Sequence, residues 1–148
     1  MVLLNGEARQ PIINTFIMTR ILVILFLVST FTFSCKEETP AEGIKLVTPE
    51  EMKELSQLED VQLVDVRTPD EYEEGYIEGF QNIDFYADTF QEDIEKLDKT
   101  KPVIVYCRSG GRSGKCSKLM QEKGFTMIYD LEGGITKWTS EGFEIKTE

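Results

Sequence analysis

One cysteine, two arginines, two glycines and two serines stand together in Cys107-Arg108-Ser109-Gly110-Gly111-Arg112-Ser113. A cysteine attacks as its thiolate. Inward-pointing N–H groups, a helix N-terminus and nearby guanidinium groups lower a thiol pKa from roughly 8.5 into a range of about 3.5 to 7.5. Gly110 and Gly111 let the backbone bend so that successive N–H groups converge, and Ser113 suits the N-cap of a following helix. Together the seven residues describe an anion-binding nest with Cys107 at its bottom. The chain contains no histidine. The imidazole base of papain-like and caspase-like nucleophiles is therefore missing, and activation of Cys107 must be electrostatic.

Such a loop needs a rigid element on each side. Before it, Pro102 opens the apolar, β-branched run Val103-Ile104-Val105-Tyr106, which predicts a strand of a parallel sheet covered on both faces. After it, the amphipathic stretch 114–123 predicts a helix. Strand, tight loop and helix in that order place the cysteine at the C-terminal end of a strand, where α/β sheets bind ligands.

Cys-Arg-Ser-Gly-Gly-Arg-Ser resembles the active-site loop of single-domain rhodaneses, sulfurtransferases that carry sulfur as a cysteine persulfide. Upstream, Leu63-Val64-Asp65-Val66-Arg67-Thr68-Pro69-Asp70-Glu71-Tyr72, then Gly75-Tyr76-Ile77-Glu78-Gly79 and Asn82-Ile83, is similar to the first signature of that family. Downstream, Leu131-Glu132-Gly133-Gly134-Ile135-Thr136-Lys137-Trp138 is similar to its closing segment. The blocks occur in family order. Two departures bear on pocket shape: Tyr76 stands where the family usually has histidine, and Phe80 where it has a small residue.

The resemblance implies a three-layer α/β fold with a mostly parallel five-stranded sheet flanked by helices. It implies sulfane-sulfur transfer with Cys107 as nucleophile. Arg108 or Arg112 would neutralise the departing anion, and Ser109, Gly110, Gly111 and Ser113 would complete the binding loop. The partners implied are a small anionic sulfur donor such as thiosulfate and a thiol, cyanide or protein acceptor, with no metal or organic cofactor. Two rivals share the fold. A cysteine-dependent phosphatase or arsenate reductase uses a loop one residue longer, a difference of up to about 3.5 Å of contour; here Arg108-Ser109-Gly110-Gly111 alone separate Cys107 from Arg112. A non-catalytic binding module would not require Cys107 with both arginines, whereas a sulfur carrier that delivers to one protein partner would keep the same residues.

The 148 residues suffice for one domain with a core of its own plus an N-terminal extension. Residues 21–33 form an uncharged run of thirteen after Arg20, ending at Ser34-Cys35 before Lys36-Glu37-Glu38. A bilayer span needs about 20 residues, so the run has signal-peptide proportions. Ser34-Cys35 resembles a bacterial lipoprotein processing site, with Phe33 where that pattern has a small residue. The expectation is a signal peptide over 1–34, with 1–17 upstream of the true start, lipidation at Cys35 or an uncleaved anchor, a tether over 35–43 and the domain over 44–148. The domain would then be exported, periplasmic or held on the outer membrane.

Within the domain, Ile44-Lys45-Leu46-Val47 predicts a short strand and Thr48-Pro49-Glu50-Glu51 a helix start with a capping box. The same chemistry recurs at Thr68-Pro69-Asp70-Glu71 after the strand 62–66. Arg67 is expected to pair with Asp65 or Glu71 in support of the site. Stretch 85–97 carries Phe90, Ile94 and Leu97 at helical spacing, 125–129 predicts a strand, and Gly133-Gly134 a turn into a last helix with Trp138. Cys116, Leu119 and Met120 share a face, so Cys116 is expected in the core.

Beyond residue 34 the chain has 14 basic against 26 acidic residues, a net −12. Between Lys99 and Gln121, however, six basic residues meet no acid: Lys99, Lys101, Arg108, Arg112, Lys115 and Lys118. An acidic protein repels nucleic acid, while a basic island around one loop focuses small anions there.

Overall fold

The computed structural model describes residues 43–147. The stretch 21–33, Cys35 and most of the expected tether lie outside these residues; the tether's last residue, Gly43, already pairs with Met127 in the sheet. Five strands, β1 (Gly43–Val47), β2 (Gln62–Asp65), β3 (Gln81–Asn82), β4 (Val103–Tyr106) and β5 (Met127–Leu131), form one sheet in the order β1-β5-β4-β2-β3. Every pairing is parallel, so the sheet is wholly rather than mostly parallel. An antiparallel contact occurs outside it, as an isolated bridge between Tyr76 and Lys146.

β4 lies at the centre, and all four of its residues are buried. Alternation then sends Val103 and Val105 to one face and Ile104 and Tyr106 to the other, where they join two separate cores. The first packs Val64, Val105 and Ile128 against Ile94, Cys116 and Met120. The second packs Ile104, Tyr106 and Leu131 against Met52, Ile135 and Trp138. Each buried aliphatic side chain contributes about 1.5–3 kcal/mol. Helices α3 (Phe90–Glu95) and α4 (Gly111–Glu122) thus cover one face, and α1 (Pro49–Leu55) and α5 (Gly134–Ser140) the other. Helix α2 (Pro69–Glu73) fully buries none of its side chains and stays at the rim.

Both expected capping boxes form: Thr48 and Thr68 cap α1 and α2, with Glu51 and Glu71 reaching back to the cap N–H groups. Three local expectations are corrected. Helix α4 begins at Gly111, with Gly110 at the N-cap at φ 95°, a backbone state suited to glycine and not to serine; Ser113 falls inside the first turn. The helix expected over 85–97 shrinks to Phe90–Glu95, because Asp84 caps a turn by accepting from Tyr86 N at 2.9 Å and Ala87 N at 3.1 Å. Phe85 and Leu97 still pack against the core. The fifth strand starts at Met127 rather than Phe125, since Phe125 N and Gly124 N turn back to Met120 O and Gln121 O and close α4.

The ends of β4 and β5 meet through α5. Ile135 N donates to Cys107 O at 2.9 Å and Thr136 N to Arg108 O at 3.1 Å, so the first turn of α5 sits against the peptide units after β4. Gly134 allows this approach. A Cβ there would lie 2.3 Å from Cys107 O and 2.7 Å from Arg108 C, at a φ of +60°. We expect Gly134→Ala to destabilise the fold by about 3 kcal/mol, combining left-handed strain with overpacking. Urea unfolding of the variant would measure it, and a loss under about 1 kcal/mol would show that this contact is not tight.

Candidate functional site

The site is the loop from Cys107 to Ser113, held between the end of β4 and the start of α4. Because Arg108 O is tied backward to α5, the N–H of the same peptide unit, that of Ser109, faces the other way, toward the sulfur. Gly110 N donates to Cys107 Sγ at 3.2 Å. Cys107 is almost fully buried, with 1% of its surface exposed. Burial alone would raise its pKa. The Ser113 N–H and hydroxyl and the N–H groups of Ser109 and Gly110 outweigh that effect, and the thiol is held below its ordinary value. The arrangement favours the thiolate over the thiol and supplies donors for charge that develops on an atom bound to it.

The expected part of the arginines in this changes. Arg112 forms a bidentate pair with Glu71, with Nη1 2.6 Å from Oε2 and Nη2 2.7 Å from Oε1, and its guanidinium lies 5.6 Å from the centre of the Tyr86 ring. It remains within electrostatic reach of Cys107. Its charge is nonetheless matched by a carboxylate, so N–H groups rather than two guanidinium groups carry the thiolate. Arg108 is exposed and hydrogen-bonded through its carbonyl, which also accepts from Thr136 Oγ1 at 2.8 Å.

Glu71 was expected at the cap of α2. It does that, accepting from Thr68 N at 3.2 Å, and the same Oε2 takes Arg112. Arg67 pairs instead with Asp65, through Nη2 at 2.6 Å, in a buried pair. The rest of its guanidinium donates to Glu71 O at 2.8 Å and Gly75 O at 2.8 Å, and Asn82 Nδ2 donates to Arg67 O at 2.8 Å. A buried fork satisfied on all sides fixes the segment that carries Glu71. Asp65 and Arg67 therefore hold the partner of Arg112, not Cys107 itself.

Cys116 lies in the core, where burial, then the charge of Asp130, pushes its thiol up to about 12. It stays protonated and unreactive at neutral pH. A cleft of about 250 Å³ opens beside Arg108, between Glu71 and Glu74 on one side and Ile135 and Thr139 of α5 on the other. No group of acidic and cysteine side chains among the described residues is arranged to hold a metal ion. Sequence spacing did not single out Tyr86, Asp130 or the Glu71–Arg112 pair. The pair joins positions 41 apart and shows no local pattern.

The Arg112 guanidinium, acting against burial and helped to a lesser degree by the Thr68 N–H, lowers the Glu71 carboxyl from 4.5 to about 2. A depressed carboxyl contributes stability that is complete above about pH 4.5 and is lost as pH falls toward 2. We expect this contribution to be about 1–2 kcal/mol after solvent screening. Stability of the parent should therefore fall more steeply than that of Glu71→Gln between those two pH values. Parallel curves in urea unfolding across the window would refute the assignment.

The family of rhodanese-like domains matches residues 48–141. Thiosulfate sulfurtransferase GlpE of Coxiella burnetii is 37% identical over 94 residues, which cover 64% of this chain and 86% of that protein. A sulfurtransferase of Allochromatium vinosum is 33% identical over 91 residues, 62% of this chain and 83% of the relative. Among solved structures, the homodimeric polysulfide-sulfur transferase of Wolinella succinogenes superposes with a TM-score of 0.60 at 31% identity, covering 71% of this chain and 80% of that one.

Proposed function

This chain belongs to the rhodanese-like domain family, and on that premise we propose that it is a sulfurtransferase working through a Cys107 persulfide. The observation that carries the reading is Cys107 Sγ at the floor of the loop, accepting from Gly110 N–H and held below its ordinary pKa by loop donors in a chain without histidine. The thiolate attacks the outer sulfur of a donor such as thiosulfate. A sulfur–sulfur bond forms at Cys107, the donor's own sulfur–sulfur bond breaks, and sulfite leaves with the electron pair. Arg108, exposed at the rim, meets the departing anion, while Arg112 is held by Glu71. The loop N–H groups stabilise the persulfide. A thiolate or cyanide then takes the outer sulfur and returns Cys107 as thiolate. The names of the relatives, which include thiosulfate and polysulfide enzymes, support the donor class. The cleft beside Arg108 is the approach for the acceptor, a small thiol or a protein thiol.

Loop length favours this reading over phosphoryl transfer. A phosphate ester needs donors around three oxygens while its central atom meets the thiolate, whereas a sulfane sulfur on Cys107 lies closer to the loop floor. With Arg112 paired to Glu71, the short loop offers a tetrahedral dianion no free guanidinium from within α4.

The test is mass spectrometry after incubation with thiosulfate, together with a cyanide assay. Cys107→Ala should gain no sulfur and lose at least about a thousandfold in turnover, and Cys116→Ala should stay within about threefold of the parent. Equal loss in both variants would replace the one-cysteine mechanism with a two-cysteine one. Competent hydrolysis of an aryl phosphate without a detectable persulfide would overturn sulfur transfer altogether.

The N-terminal reading belongs to the same proposal: an exported domain, lipidated at Cys35 after a signal peptide over 1–34 and tethered to a membrane. Its support is the apolar run 21–33 followed by Ser34-Cys35. In a bacterial host, the full chain should enter the detergent phase and Cys35→Ala should leave it. A soluble protein that keeps residues 1–34 would refute export.

A further inference from the structure

After α5, residues 143–147 run past Trp138 to Tyr76 as a strap, outside the span 48–141 that matches the family. The strap is anchored on both sides of Ile145. Before it, the Phe143 and Trp138 rings pack with centres 4.5 Å apart, and Trp138 Nε1 donates to Glu144 O at 2.9 Å. After it, Tyr76 N donates to Lys146 O and Lys146 N to Tyr76 O, each at 2.8 Å, which makes the isolated antiparallel bridge. The strap lies directly on Gly75: a Cβ there would stand 2.8 Å from Ile145 Cδ1 and 3.4 Å from Lys146 O. Ile145 is 38% exposed, and the surface it shows lines the cleft beside Arg108 together with Ile135 and Thr139 of α5.

Four charged residues line the same cleft. Two of them are matched, Arg67 by Asp65 and Glu71 by Arg112. Glu74 and Arg108 are exposed and enter no ion pair among the described residues. The cleft therefore offers one unmatched carboxylate, one unmatched guanidinium and the apolar surface of two isoleucines. Its volume of about 250 Å³ lies just under the range usual for ligand clefts, about 300–1,000 Å³. That is room for a molecule of amino-acid size, and far more than cyanide fills.

We propose that the strap is the specificity wall of the acceptor cleft, and that the cleft takes a small zwitterionic thiol of amino-acid type. Its ammonium group meets Glu74, its carboxylate meets Arg108, and its carbon chain lies along Ile145 and Ile135. Arg108 is available for this because the sulfite has left before the acceptor arrives. The acceptor's thiolate, its proton given to solvent, bonds to the outer sulfur of the persulfide while the Cys107 sulfur–sulfur bond breaks and Cys107 keeps the electron pair. Ile145 and Glu74 thus act on the choice of acceptor and not on the loading of Cys107.

The inference rests on sulfur transfer through Cys107, and the experiment separates the two. The full chain is loaded with thiosulfate, checked by mass spectrometry, and discharged by cysteine, by 2-mercaptoethanol or by cyanide. Ile145→Trp should fill the cleft and raise KM for cysteine at least about tenfold. Glu74→Gln should raise it about threefold, the effect of a solvent-exposed charge pair, and leave neutral 2-mercaptoethanol unchanged. Both variants should load with sulfur as the parent does and be discharged normally by cyanide, which touches neither wall. A cysteine KM unchanged in both variants would overturn the proposal, and so would equal slowing with cyanide, which would place the effect at the sulfur. The two substitutions are read independently, so misfolding of one leaves the other as the test. A second arm needs no sulfur chemistry: S-methylcysteine, which has no thiol, should shift the Thr136 and Thr139 amide NMR signals in the parent and not in Ile145→Trp. Should the parent take up no sulfur, the sulfurtransferase reading falls, and these shifts still decide the cleft; their absence in the parent would overturn the inference.

Discussion

The orientation of two peptide units decides how this site works. Cys107 O and Arg108 O accept hydrogen bonds from Ile135 N and Thr136 N at the start of α5. A planar peptide whose carbonyl is tied on one side must present its N–H on the other. The N–H of Ser109, in the same unit as Arg108 O, consequently faces away from α5 toward Cys107, and the Gly110 N–H, one unit on, reaches the sulfur at 3.2 Å. Neither glycine at this junction is ornamental: Gly110 takes the positive φ that starts α4, and Gly134 lets the two backbones touch.

Around that core constraint the charged groups are arranged in pairs, each with a different task. Asp65 and Arg67 are buried, joined at 2.6 Å and surrounded by carbonyl acceptors. Removing one partner would leave an uncompensated buried charge, which costs far more than the pair itself contributes. Glu71 and Arg112 are less buried and join the rim helix α2 to the loop helix α4. The basic island read along the chain is thus partly discharged in space. Arg112 and Lys101 have acidic partners, and the remaining positive charge at the loop belongs to Arg108.

A loop built this way stabilises an anion without presenting two bare guanidinium groups, which suits a persulfide better than a tetrahedral dianion. Placement at the C-terminal end of the central strand of a parallel sheet adds rigidity, because β4 is buried on both faces and its register is set by both neighbours.

Much of this was legible in the residues. The apolar β4 run, the capping boxes at Thr48 and Thr68, and the Cys-Arg-Ser-Gly-Gly-Arg-Ser loop are written in contiguous residues, and local chemistry settles such features: a threonine, a proline and a glutamate three positions on need no tertiary partner to start a helix. The core placement of Cys116 followed from helical period alone. What the residues did not disclose is contact across distance. Arg112 finds Glu71 41 positions away, and Gly134 finds Cys107, only after the sheet has been ordered β1-β5-β4-β2-β3 and α4 and α5 have settled on opposite faces. The start of α4 at Gly111 rather than at Ser113 has the same origin. Ser113 is a good cap in isolation, but the tied carbonyls before the loop require the left-handed turn to come at Gly110. Sequence determined the cysteine loop and the elements that carry it; tertiary structure decided which charges remain free beside it, because charge pairing depends on separation in space and not along the chain.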